Sequence, residues 1–178
     1  PKLVSRADLS GTATTLSRTN SGNNTRVLID GGLVFCAYGQ YVECWDRTGS
    51  QQWVYDHGAA VNDIAADGQQ VYLVGNTSGS REARALNRTT GALVWSYQHN
   101  ATLYAVACNG KQVFVAGNVS GSASSATHRA LNASNGYDAT NEGGTGPDTD
   151  YVSWNQAASS SQACSKGGQL ATDGRLLY

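Results

Sequence analysis

Proline is nearly absent from this chain, methionine is absent, and lysine occurs three times in 178 residues. No apolar run approaches the roughly 20 residues that cross a bilayer, so no membrane span is expected. No basic cluster stands out either. Twelve Lys plus Arg face 13 Asp plus Glu, a formal charge of −1, which excludes the electrostatic footprint of a nucleic-acid binder. The glycine-rich pieces "GGTG" and "SGS" lack the Lys-Ser/Thr or helix start of a phosphate loop. The opening "PKLVSRADLSG" has no apolar signal region, so a targeting segment is not expected within these residues.

What is present is turn chemistry and repetition. Twenty-one glycines accompany abundant Ser, Thr and Asn, and 40% of the residues are hydrophobic. That mixture suits many short strands around a buried core rather than long helices. "DGQQVYLVGNTSGS" at 67–80 returns as "NGKQVFVAGNVSGS" at 109–122. Turn starts at Asp30, Asp67, Asn109 and Asp173 lie 37, 42 and 64 residues apart, so the third unit carries an insertion, at 141–168. "QVYLVG" and "QVFVAG" read as strands opened by Asp-Gly or Asn-Gly turns with positive φ. "EARALN" and "THRALN" alternate as half-buried strands, "ALVWSY" follows, and "TLYAVAC", matched by "AVNDIAA", makes a fourth strand. Four short strands per unit of about 40 residues predict an all-β fold of propeller blades. The expected organisation is an N-terminal strand or arm at 1–26, blades at 27–66, 67–108 and 109–172, and a further blade starting at 173. Three blades and the start of a fourth make an incomplete ring. The chain is therefore expected to be a piece of a longer polypeptide or to complete its ring with another subunit.

"ARALNRTTGALVWSY" resembles the tryptophan-docking motif of pyrroloquinoline-quinone-type propellers, roughly Ala-x-Asp-x-x-Thr-Gly-x-x-x-Trp, and "ECWDRTGSQQWVY" is a shorter version. The resemblance covers about residues 27–140. It implies that Gly49 and Gly91 permit the turns and that Trp53 and Trp95 wedge between blades, each burying about 150–250 Å². In the third copy, after Asn132 and Gly136, the aligned slot is Thr140 instead of Trp. Quinoprotein dehydrogenases of this kind also carry a vicinal Cys pair over the cofactor and a calcium held by Glu and Asn beside an Asp base. No adjacent Cys pair exists in the sequence, and the expectation is no catalysis, no quinone and no metal.

The other candidates are weaker. His57 and His99 are repeat-equivalents, and with His128 they are read as turn or solvent residues. Glu142, Asp148 and Asp150 crowd the insertion without the spacing of a calcium loop. Cys36 and Cys44 flank a predicted hairpin turn at Gly39-Gln40 with the same parity, which offers a cross-strand disulfide; Cys108 and Cys164 precede blade boundaries, and free buried thiols are the alternative. Asn-x-Ser/Thr sequons stand at Asn23, Asn76, Asn87, Asn100, Asn118 and Asn132, so glycans are candidate partners. Tyr151 and Trp154 are large apolar groups in a long polar insertion and are expected to form the main assembly contact with another subunit. The functional expectation is a structural or docking module of an extracellular assembly, a homo-oligomer or filament. Repeats of phage virion and bacterial surface proteins look similar, and a virion component is the first reading. A glycosylated filament or surface protein is the second, followed by an outer-membrane assembly scaffold or a quinoprotein dehydrogenase fragment.

Overall fold

The computed structural model describes residues 2–3, 14–16, 24–77, 80–99, 101–119 and 126–137. Asn23, Asn100, Cys164, Tyr151, Trp154, the insertion and the unit starting at Asp173 lie outside them. The chain is all-β. A two-stranded piece pairs β1 (Lys2–Leu3) with β2 (Thr14–Thr15). The first blade is an antiparallel sheet of β3 (Asn24–Asp30), β4 (Leu33–Tyr38), β5 (Tyr41–Trp45) and β6 (Gln51–Asp56). The second holds β7 (Val61–Ala66), β8 (Gln70–Thr77), β9 (Ser80–Asn87) and β10 (Leu93–His99). The third holds β11 (Ala101–Cys108), β12 (Gln112–Val119) and β13 (Ala126–Asn132). Within each sheet the strands pair in sequence order. Among the described residues no helix is long and apolar enough to cross a membrane.

The blades are offset from the sequence units by one strand. "VNDIAA", expected to end the first unit, pairs with β8 and opens the second sheet, and "TLYAVAC" likewise opens the third. Each opening strand carries a bulge at the same place, between Asn24 and Arg26, Val61 and Asp63, and Leu103 and Ala105. The bulge pushes backbone toward the facing strand. A Cβ on Gly75 would strike the carbonyl oxygen of Ala60, and one on Gly117 that of Thr102, which is why both repeats carry a glycine at this position of their second strand.

The turns divide into two kinds. Gly31 and Gly32 have φ of 48° and 86°, as a tight mirror-type hairpin needs. At Asp67-Gly68 the glycine does not take positive φ. There the Asp67 carboxylate shapes the turn by accepting the Gln69 and Gln70 amides, both at 2.8 Å, as an Asx turn does.

Alternation places two cores between three sheets. Phe35, Ala37, Val42, Cys44 and Trp53 of the first sheet meet Val61, Ile64, Val71, Leu73 and Leu86 of the second. The other face of the second sheet, with Tyr72, Val74, Ala83, Ala85 and Trp95, meets Leu103, Val106, Val113, Val115 and Leu131 of the third. On the far face of the first sheet Leu16 packs on Val34, Cys36 and Trp45. Buried Glu43 lies there too, accepting the Tyr38 hydroxyl and, at 3.2 Å, the Trp45 indole N–H.

Candidate functional site: the seams between blades

The two tryptophans of the docking motif sit in the two seams. Trp53 leaves β6, 8% exposed, and donates its indole N–H to the Arg88 carbonyl at 2.9 Å in the β9–β10 turn of the next blade. Its ring lies on Gly91, where a Cβ would come within 2.7 Å of it. Trp95 repeats this one blade on. It is 7% exposed, donates to the Ala133 carbonyl at 2.8 Å, and lies on Gly136, whose Cβ would stand 2.5 Å from the ring. Both glycines have φ just above 70°. Each therefore supplies a turn conformation that L residues avoid and a bare floor for an indole. Gly49, φ 85°, ends the corresponding turn of the first blade, its amide bonded to the Asp46 carbonyl.

Gly136 is the residue that reading the third copy by its missing Trp overlooks. That copy keeps the socket. The visible signal is the repeated Asn-x-x-x-Gly spacing of 87–91 and 132–136.

Charged groups surround the first seam. Arg88 reaches back to the Asp30 carbonyl at 2.6 Å and pairs with the Asp30 carboxylate at 2.9 Å, lying over Gly31 and 5.9 Å from the Phe35 ring centre. Arg84 bonds Glu82 on its own strand and the Tyr55 hydroxyl across the seam, the latter at 2.6 Å. His57 is buried beside them, 2% exposed, with no hydrogen-bond partner at either ring nitrogen. Burial, helped by the nearby Arg84 guanidinium, holds its pKa down at about 4. His57 does lie in a connector, 57–60, but not in solvent: the connector folds inward because the His57 and Val61 amides bond the Gln40 and Gly39 carbonyls. The His99 and His128 side chains lie outside the described residues.

The opening strands are joined by Asp63. Its Oδ1 accepts Arg26 Nε at 2.7 Å and its Oδ2 the Val106 amide at 3.1 Å, so one carboxylate touches all three blades. Burial raises its pKa against the pull of those partners. Asn62 donates to the Leu103 carbonyl at 2.7 Å. None of these residues is marked by a sequence motif. Among the described residues no group of three His, Cys, Asp or Glu could hold a metal ion.

The Cys36–Cys44 bridge is overturned. Cys36 pairs with Glu43 and Cys44 with Phe35, so across this two-residue turn residues of equal parity face opposite sides of the sheet, and both cysteines are thiols. Burial pushes Cys44 up to about 12 and Cys108 up to about 12; the Cys108 thiol donates to the Ala66 carbonyl across the second seam at 3.2 Å. Of the sequons, Asn87 accepts the Thr89 and Thr90 amides and Asn132 the Ser134 amide. Both serve the docking turns. The Asn76 side-chain Oδ1 is buried without a hydrogen-bond partner, and the Asn118 side chain lies outside the described residues.

A family model, PQQ_2, described as outer membrane protein assembly factor BamB, matches residues 2–175. The chain belongs to that family. Among solved structures, BamB from Moraxella catarrhalis is 19% identical with a TM-score of 0.52, over 64% of this chain and 33% of its own. The quinohemoprotein alcohol dehydrogenase of Comamonas testosteroni is 20% identical with a TM-score of 0.51, over 63% of this chain and 19% of its own. The WD40 domain of Neurospora crassa Pan2 is 13% identical with a TM-score of 0.52, over 68% of this chain and 36% of its own. These likenesses are of fold. The chain spans a third of the length of that BamB and a fifth of that dehydrogenase. Among curated proteins no sequence matches the chain.

Proposed function

We propose that the chain is part of a non-catalytic β-propeller that serves as a docking scaffold in an assembly outside the cytoplasm. The observation that carries this reading is where its reactive side chains are engaged. Asp63 has both oxygens committed to neighbouring blades, Arg84 and Arg88 bridge the first seam, and the Cys44 and Cys108 thiols are held far from the thiolate form that makes a nucleophile. A calcium and quinone site needs carboxylate and amide oxygens left open to the metal, and Asp63 does not fit that need. The family's description, an assembly factor, supports the scaffold role.

Two experiments test it. Reconstitution with pyrroloquinoline quinone and calcium should give no dye-linked alcohol oxidation above the blank; activity would overturn the reading in favour of a quinoprotein dehydrogenase fragment. Deleting residues 142–162, which removes Tyr151 and Trp154, should abolish assembly and leave the blades folded. Normal assembly of the shortened chain would place the contact elsewhere. The resemblance of the repeats to those of phage virion proteins favours a virion as the setting, and the family's description an outer-membrane assembly. Detection in purified particles or in the envelope fraction separates the two, and intact mass reads whether the sequons carry hexoses.

A further inference from the structure

Two Asn-Gly pairs occur in the chain, Asn109-Gly110 and Asn135-Gly136, and the fold holds them in opposite ways. In such a pair the glycine amide nitrogen can attack the asparagine side-chain carbonyl carbon, since no Cβ obstructs it. At Asn109, Oδ1 accepts the Lys111 amide at 3.0 Å and the Gln112 amide at 2.8 Å. Those donors are aimed at the oxygen that gains negative charge as the carbon becomes tetrahedral, the arrangement of an oxyanion hole. Gly110 is exposed, with φ 86° and nothing within 4 Å of a Cβ position, and its amide faces the Cys108 sulfur, a weak acceptor. At Asn135, Oδ1 accepts one amide, that of Tyr137 at 3.0 Å. The Gly136 amide is already bonded to the Asn132 carbonyl at 2.8 Å, and Gly136 is pinned beneath Trp95.

We infer that Asn109 is a site of spontaneous, fold-assisted deamidation and that Asn135 is protected. The Gly110 nitrogen bonds to Asn109 Cγ, the Cγ–Nδ2 bond breaks, and ammonia leaves with the amide proton, closing a five-membered imide. Water then opens the imide. Attack at Cγ gives aspartate; attack at the backbone carbonyl gives isoaspartate. The aspartate product fits the turn, because Asp67 holds the equivalent position with the same two donors. It gains a charge without a partner, however: Asp67 accepts the Tyr72 hydroxyl at 2.6 Å, and the residue equivalent to Tyr72 is Phe114. Isoaspartate adds a methylene to the backbone of the β11–β12 turn. Either product puts a new negative charge at the edge of the third blade.

The test uses the intact chain, aged at mildly alkaline pH and digested. Aspartate and isoaspartate at positions 109 and 135 are quantified by peptide mass and isoaspartyl methylation, beside a sample aged in urea. In the folded chain Asn109 should convert several-fold faster than Asn135, and unfolding should bring the two rates together. Equal rates in the folded chain, or a faster Asn135, overturn the proposal.

Discussion

At its turn the first seam carries an arginine, Arg88 paired with Asp30, where the second has Ala133, yet both dock an indole in the same way. Arg84 and Tyr55 of the first have Arg129 and Tyr97 at the equivalent positions of the repeat, and the second is crossed as well by the Cys108 thiol and Asn62, each donating to a main-chain carbonyl. The common part is an indole N–H to a turn carbonyl and a ring on a glycine floor. What both seams share is what a blade requires to stack, since an unpaired indole N–H in a buried seam would cost free energy. What differs belongs to the individual junction.

The largest way to break this equivalence is at the indoles. Trp53→Ala and Trp95→Ala should each lower the unfolding free energy by about 3–5 kcal/mol in urea titrations; a loss under about 1 kcal/mol at either would mean that its seam does not rest on the ring. Next come the floors. Gly91→Ala and Gly136→Ala combine a left-handed backbone with a methyl against the ring, and about 2–4 kcal/mol is expected for each. If only one of them matters, the seams are not equivalent.

A pH titration should read the contribution of His57 to the first seam. His57 has a folded pKa of about 4 against an ordinary 6.5, so the unfolded chain binds the proton more readily. Its contribution is intact above pH 6.5 and is lost as pH falls toward 4. His57→Gln should flatten the fall in denaturation midpoint over that window; an unchanged slope assigns the acid sensitivity to another group. The smallest effect is expected at Arg88. Arg88→Ala makes the first turn like the second, and a partly exposed ion pair contributes about 0.2–1 kcal/mol. A loss as large as that of Trp53 would show that the charge, not the indole, holds the first seam.

Much of this architecture was legible in the sequence. Periodic β-branched runs gave the strands, and Gly91 with Trp95 announced a docking turn. The phase of the blades was not legible, because a repeat aligned on itself has no starting point; only the pairing of "VNDIAA" with β8 sets one. Parity misplaced Cys36 and Cys44 because a two-residue hairpin pairs odd positions with even ones. Arg88, Arg84 and Asp63 carry no local signal at all. Their partners across the seams lie 29 to 58 residues away on other blades, where sequence spacing says nothing about direction.

The seams also have an order in time. Each indole precedes the carbonyl that receives it, Trp53 by 35 residues and Trp95 by 38. During synthesis at about 5–20 residues per second, a finished blade therefore waits roughly 2–8 s with its tryptophan uncovered before the socket leaves the ribosome. A ribosome stalled in that interval would hold a folded sheet with a bare apolar face, so the length of chain between an indole and its glycine sets how long the nascent protein is vulnerable to aggregation.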